Sequence, residues 1–250
     1  MSEKDQRWLA TVRSKGDYRE FVGPTDEYDV NGALQFSLLT SLGMRESHLM
    51  LDIGCGSLRS GRLFMMYLRP GHYCAIEPES WLVEAAIQNE IGADMVRLKS
   101  PAFYHGRDFS CRYFGRTFDF ILAQGVFTHA PQQDIMLCMS EAAACMGKTS
   151  LFLATFMEGD HDYDGRDWLY PSVSRYTWRR IRQMTEGAGL RHVSIPWPHP
   201  RGAKWIALSR PEREPGMRDL VGGLPSRRPC SRVALGTGLT TSLRRRILGR

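Results

Sequence analysis

The chain has 250 residues, of which 42% are hydrophobic and 24% charged; that supplies one buried core and suits a single α/β domain. No apolar run is long enough to cross a bilayer, and the N-terminal MSEKDQRWLATVRSK lacks the apolar centre of a secretory signal. The net charge of +6 sits in residues 211–250, where nine arginines face Glu212, Glu214 and Asp219, while residues 1–210 balance; a body without net basic charge argues against nucleic acid as the partner.

Residues 1–27 read as an N-terminal extension. Residues 28–43 predict a helix, because Leu34, Leu38, Leu39 and Leu42 recur at helical spacing and Gly43 supplies the stop. Residues 48–53 form a short apolar run ending in a glycine turn, which is the pattern of a buried strand. A helix over 60–69 stops at Pro70-Gly71, a strand over 73–76 closes at Glu77-Pro78, and a two-faced helix covers 79–91. A short strand is expected near 103–105, with irregular chain after it. Residues 118–123 are a strand, 131–146 a helix with Pro131 in its first turn, and 149–156 another strand. Residues 157–173, rich in Asp, Gly and aromatics, read as a functional loop. A helix over 174–188 capped by Gly189 precedes two last strands, 192–197 and 205–209.

Alternating strands and helices imply a Rossmann-like, doubly wound, mostly parallel sheet. The turn between the last two strands is too short for a parallel crossover, so they form an antiparallel hairpin. Beyond Arg210 the chain is rich in Pro, Gly, Ser and Arg and reads as a disordered basic tail, 211–250. The cysteines, Cys55, Cys74, Cys111, Cys138, Cys145 and Cys230, form no CxxC pair. They read as reduced thiols of a cytoplasmic protein, with no metal site.

The chemistry lies in Leu51–Gly61, LDIGCGSLRSG. A strand ends in Asp52, and Gly54 and Gly56 let the backbone turn sharply against a ligand. Glu77 closes the next strand, where a carboxylate can accept hydrogen bonds from ribose hydroxyls. A dinucleotide fingerprint starting at Gly54 requires glycine where Arg59 stands, so close approach to a pyrophosphate has no support. A non-catalytic nucleotide-binding module stays open on these residues alone.

The segments LDIGCGS, AIEPES and FDFILAQGVFTH resemble the first, second and fourth motifs of class I S-adenosylmethionine-dependent methyltransferases. The resemblance covers residues 28–210 and departs at Leu58, where many members have a third glycine. It implies S-adenosylmethionine as cofactor. Asp52, Gly54, Cys55 and Gly56 would surround its methionine end, Glu77 and Pro78 its ribose, and Asp108 and Phe109 its adenine. Gln124 would line the pocket near the sulfonium.

Methyl transfer to a hydroxyl is helped by a general base, most often histidine. His129 and His161 fall after strand ends, where open α/β sheets place their sites, and His199 falls in the last hairpin turn. Alternatives accompany two of them: His129 could cap the helix beginning near Pro131, and the acidic run around His161 could be a solvated loop. Tyr163, Trp168 and Tyr170 suggest a wall for a ring-shaped acceptor, and the helix carrying Gln35 and Phe36 a lid over the cofactor. The expected acceptor is a small molecule or glycan, through a sugar or secondary-metabolite hydroxyl; RNA or other nucleic acid is the alternative. The signature Asp/Asn-Pro-Pro-Tyr of base methylation is absent where AQGVFTH stands.

Overall fold

The structure, a computed structural model, describes residues 3–225. Two helices, α1 (Glu3–Lys15) and α2 (Tyr18–Phe21), lead into α3 (Tyr28–Ser41). Then β1 (Met50–Ile53), α4 (Gly61–Tyr67), β2 (Tyr73–Ile76), α5 (Ser80–Ala86) with a π-helical turn, α6 (Ala93–Lys99) and β3 (Ala102–Tyr104) complete the first half. The second half holds β4 (Phe118–Ala123), α7 (Gln132–Ala144), β5 (Met146–Glu158), β6 (Arg175–Tyr176), α8 (Trp178–Gly187), β7 (Arg191–Ile195), β8 (Lys204–Ser209) and α9 (Glu214–Gly222).

The sheet order is β3-β2-β1-β4-β5-β8-β7, with β6 beside the end of β5. Strands β1 to β5 pair in parallel, and β8 runs antiparallel to both β5 and β7. This is the expected mostly parallel sheet with an antiparallel C-terminal hairpin. Its two faces divide by the period of two that a strand imposes. Leu51, Ile53, Ile121 and Phe152 pack with α7 and α8 on one face; Met50, Leu122, Leu153 and Trp205 pack with α3, α4 and α9 on the other.

Strands β2 and β4 coincide with the sequence reading. Three segments differ. Helix α6 lies ahead of the expected strand, where the sequence reading assigns no element; it buries no residue, so it carries no apolar stripe to betray it. The expected helix over 174–188 begins at Trp178, because Arg175 and Tyr176 pair with β5 and Thr177 caps the helix by accepting from the Arg180 amide. The tail was expected to be disordered from residue 211, yet α9 packs Met217 and Val221 into the core. The remainder of that tail, with Cys230, lies outside the described residues.

The other five cysteines are buried free thiols, and no cluster among the described residues could hold a metal. No described helix is long and apolar enough to cross a membrane.

Candidate active site

A cavity of about 790 Å³ opens over the C-terminal ends of β1, β2, β4 and β5, where open α/β sheets bind ligands. Asp52 at the end of β1 is 3% exposed, and its Oδ2 accepts a 2.8 Å hydrogen bond from the Tyr73 hydroxyl. Burial, assisted by the nearby Glu77 charge, pushes its pKa up to about 7. Glu77 at the end of β2 accepts from the Gly56 amide through Oε2 at 2.8 Å and from the Glu79 amide through Oε1 at 2.9 Å. It thereby pins the glycine turn to the neighbouring strand. Burial raises its pKa, and the two amides oppose that rise.

The turn needs its glycines. Gly54 and Gly56 have φ of +69° and +55°, and a Cβ on either would come within 2.7 Å of Val126 or Val22. Leu58 adopts the same left-handed conformation, φ +56°, with its side chain fully buried. The loop thus keeps the backbone course a third glycine would allow, at a cost of roughly 1–2 kcal/mol, and the buried leucine offsets that cost.

Cys55, Pro78 and Phe109 also line the cavity. Phe109 has φ +55°, and its ring stacks 6.3 Å from Trp168. Asp108, expected at the adenine edge, does not line the wall. Its Oδ1 closes its own turn, accepting from the Tyr104 hydroxyl at 3.1 Å and the Ser110 amide at 3.2 Å.

The N-terminal extension is a wall of the site. Arg13 pairs with Glu79 at 2.8 Å, Val22 sits over Gly56, and the Val22 carbonyl accepts from Arg59 at 3.0 Å. Helix α3, by contrast, is fixed in the core by Tyr28, Leu38 and Leu39. Gln35 reaches the cavity, but Phe36 packs on Phe64 and Tyr67, so α3 is a wall and no lid.

At the other end Gln124 organises a polar network. Its Oε1 accepts from Arg59 at 2.6 Å and from Gln35 at 3.3 Å, and its amide nitrogen lies 3.0 Å from His199 Nε2. The backbone amide of Arg201 faces the other ring nitrogen of His199 at 3.2 Å. Burial lowers the His199 pKa to about 4, reinforced by Arg59 and Arg201. His129 also lines the cavity, and its Nδ1 donates to the Ser172 carbonyl at 2.7 Å. That tautomer leaves the lone pair on Nε2. Burial takes the His129 pKa to about 4. The imidazole makes no helix cap: α7 begins after Pro131 without a side-chain cap bond.

His161 is exposed and does not line the cavity. Its acidic neighbour Asp162 is engaged in structure, accepting from the Thr177 amide and hydroxyl and from Arg180. Trp168 and Tyr170 line the cavity; Tyr163 packs against the core instead.

No protein-family model matches the chain, and no curated protein resembles it in sequence. Solved structures do. Magnesium protoporphyrin IX methyltransferase (ChlM) from Synechocystis PCC 6803, with bound S-adenosylmethionine, superposes with a TM-score of 0.59 at 14% identity, over 84% of this chain and 98% of its own. The glycopeptide N-methyltransferase MtfA, in complex with the same molecule, gives 0.55 at 12% identity, over 72% of this chain and 95% of its own. The mitomycin 7-O-methyltransferase MmcR gives 0.54 at 16% identity, over 72% of this chain and 54% of its own. The chain has the class I methyltransferase fold.

Within that fold, sequence reasoning missed three contributors. Tyr73 reads as an ordinary strand residue, although its hydroxyl holds Asp52. Val22 belongs to a segment with no motif. Arg59 entered only as a mismatch to another fingerprint, yet its guanidinium bridges the N-terminal wall and Gln124. Spacing along the chain carries no signal for such contacts.

Proposed function

We propose that the protein transfers a methyl group from S-adenosylmethionine to a small or medium-sized acceptor, at a hydroxyl of a sugar, glycan or secondary metabolite. The supporting observation is one cavity with two buried carboxylates, Asp52 and Glu77, around a glycine turn at one end and a neutral imidazole, His129, in the same wall. The residues suit this cofactor: Glu77 retains acceptor lone pairs for ribose hydroxyls, Asp52 provides an anion for an α-ammonium group, and the glycines leave room that a Cβ would fill. When bound, S-adenosylmethionine supplies a sulfonium methyl, an electrophile for in-line displacement. The chain's own contribution is alignment and exclusion of water. His129 Nε2 would accept the proton of the acceptor hydroxyl. Trp168 and Tyr170 flank the acceptor.

S-adenosylmethionine or S-adenosylhomocysteine is expected to raise the melting temperature, and NAD to leave it unchanged, since ligands that bind only the native state stabilise it. Calorimetry that detects NAD but neither adenosyl compound refutes the reading.

Cofactor affinity should depend on pH through Asp52. With its pKa near 7 in the free protein, the carboxyl is partly protonated at neutrality. An incoming ammonium favours the ionised form, so binding expels a proton and strengthens as pH rises from 6 towards 7. Binding heats measured in buffers of different ionisation enthalpy should show this release. Asp52→Asn should abolish it.

The base assignment has its own test. His129→Gln should lower turnover by roughly 10²-fold or more with cofactor affinity nearly unchanged. Normal single-turnover rates in that variant would pass the role to His199.

A further inference from the structure

Around the cavity the charged groups pair unevenly. Arg13 and Arg107 are both matched by Glu79, at 2.8 Å and 2.9 Å. Three other arginines of the wall, Arg59, Arg175 and Arg201, have no carboxylate within ion-pair reach among the described residues, and Arg175 donates to the Glu158 carbonyl at the end of β5. Arg59 spends its donors on two neutral oxygens, the Val22 carbonyl and Gln124 Oε1. Arg201, in the β7–β8 turn, engages His199 through its backbone amide, not through its guanidinium. The two side chains converge: a Cβ placed on Gly23 would lie 3.8 Å from Nη1 of each. Arg201 is exposed, so water screens part of the repulsion between the two guanidinium groups, and an anion between them would turn it into attraction. Guanidinium forks also match oxyanions in a bidentate manner. His129, His199 and Tyr170 border the same corner, since each feels the Arg201 charge.

We infer that Arg59 and Arg201 form an oxyanion subsite for the acceptor, so that the molecule methylated carries a carboxylate or a similar small oxyanion beside its reacting hydroxyl. This rests on the methyltransferase reading of the cavity. The proposed cofactor contacts Asp52, Gly56 and Glu77 lie along β1 and β2, whereas Arg201 belongs to the terminal hairpin. Arg201 therefore discriminates between acceptors with and without the acid. Arg59, which also braces Gln124, is the shared wall between the two halves of the cavity.

The test titrates the full chain, saturated with S-adenosylhomocysteine, with benzoate, sulfate and inorganic phosphate, each against chloride at matched ionic strength. Thermal shift and calorimetry are the readouts. At least one oxyanion should stabilise the loaded protein saturably, and Arg201→Gln should weaken that binding by roughly tenfold or more, the loss of one charge-assisted pair. The same variant should hold S-adenosylhomocysteine within twofold of the wild-type affinity. A benzoate response without a phosphate response would identify the anion as a carboxylate, and the reverse as a phosphate or sulfate. No saturable response to any of the three, or one that survives Arg201→Gln, overturns the inference. So does an anion that competes with S-adenosylhomocysteine, because the arginines would then serve the cofactor. Failure of S-adenosylhomocysteine to bind at all is read in the first titration and strikes the methyltransferase reading itself.

Discussion

Glu77→Ala is expected to weaken S-adenosylhomocysteine binding roughly ten- to a hundredfold, the loss of charge-assisted hydrogen bonds worth about 1.5–3 kcal/mol. Two effects act together. The ribose would lose its acceptor, and the glycine turn its tie to β2, since Glu77 accepts from the amides of both Gly56 and Glu79. Those amides would then need water, and a site as buried as Glu77, 8% exposed, supplies little of it. Removing an uncomfortable buried carboxylate, whose pKa is already raised by burial, offsets part of the stability cost. Affinity should therefore fall far more than the melting temperature of the free protein. Glu77→Gln separates the contributions: it keeps one amide-accepting oxygen and the side-chain volume but presents an NH₂ to the other amide. An unchanged dissociation constant in Glu77→Ala, measured by calorimetry below its melting point, would reduce Glu77 to a strand-end brace.

The sheet was legible because its residues signal locally. Strand β4 is an apolar run bounded by polar chain, and β2 ends at a proline, so both are found at their full extents. The glycine turn was legible for the same reason: its conformation demands residue types that stand out in sequence. Helix α6 was not, because a helix that buries nothing needs no pattern. Asp108 misled because a carboxylate after a strand looks alike whether it meets a ligand or closes its own turn; only the positions of Tyr104 and Ser110 decide. His161 misled similarly, with Asp162 beside it serving Thr177 and Arg180. His129 and His199, singled out by their places after β4 and in the last hairpin, both line the cavity. What their sequence positions could not convey is the surroundings that hold them neutral, burial first and then the charges of Arg201 and, for His199, Arg59, against which the Ser172 carbonyl pulls at His129.

The largest expected loss of stability lies at the other end of the chain. A protein ending at Arg210 is expected to melt well below the full chain or to aggregate, because it lacks α9. Met217 is fully buried there and Val221 nearly so, and they join the core cluster that holds Leu153, Ile195 and Trp205. Burying each such side chain contributes about 1.5–3 kcal/mol. Removing the helix also uncovers apolar surface on the face it covers, which promotes association. Composition hid this: in a stretch rich in Arg, Pro and Gly, α9 contains only two strongly buried residues, spaced four apart as one helical face requires. Arg210 itself stays anchored in the shortened chain, donating to the carbonyls of Ala143 at the end of α7 and Met146 at the start of β5. The break would thus fall just after a firm contact, which isolates α9 as the cause. Met217→Ala tests the same point without truncation. It should cost about 2–5 kcal/mol, as large-to-small changes in cores do, and lower the melting temperature by roughly 10 °C. Melting of Met217→Ala and of the chain ending at Arg210 within a degree of the full protein would show that α9 merely lies on the sheet and contributes no core.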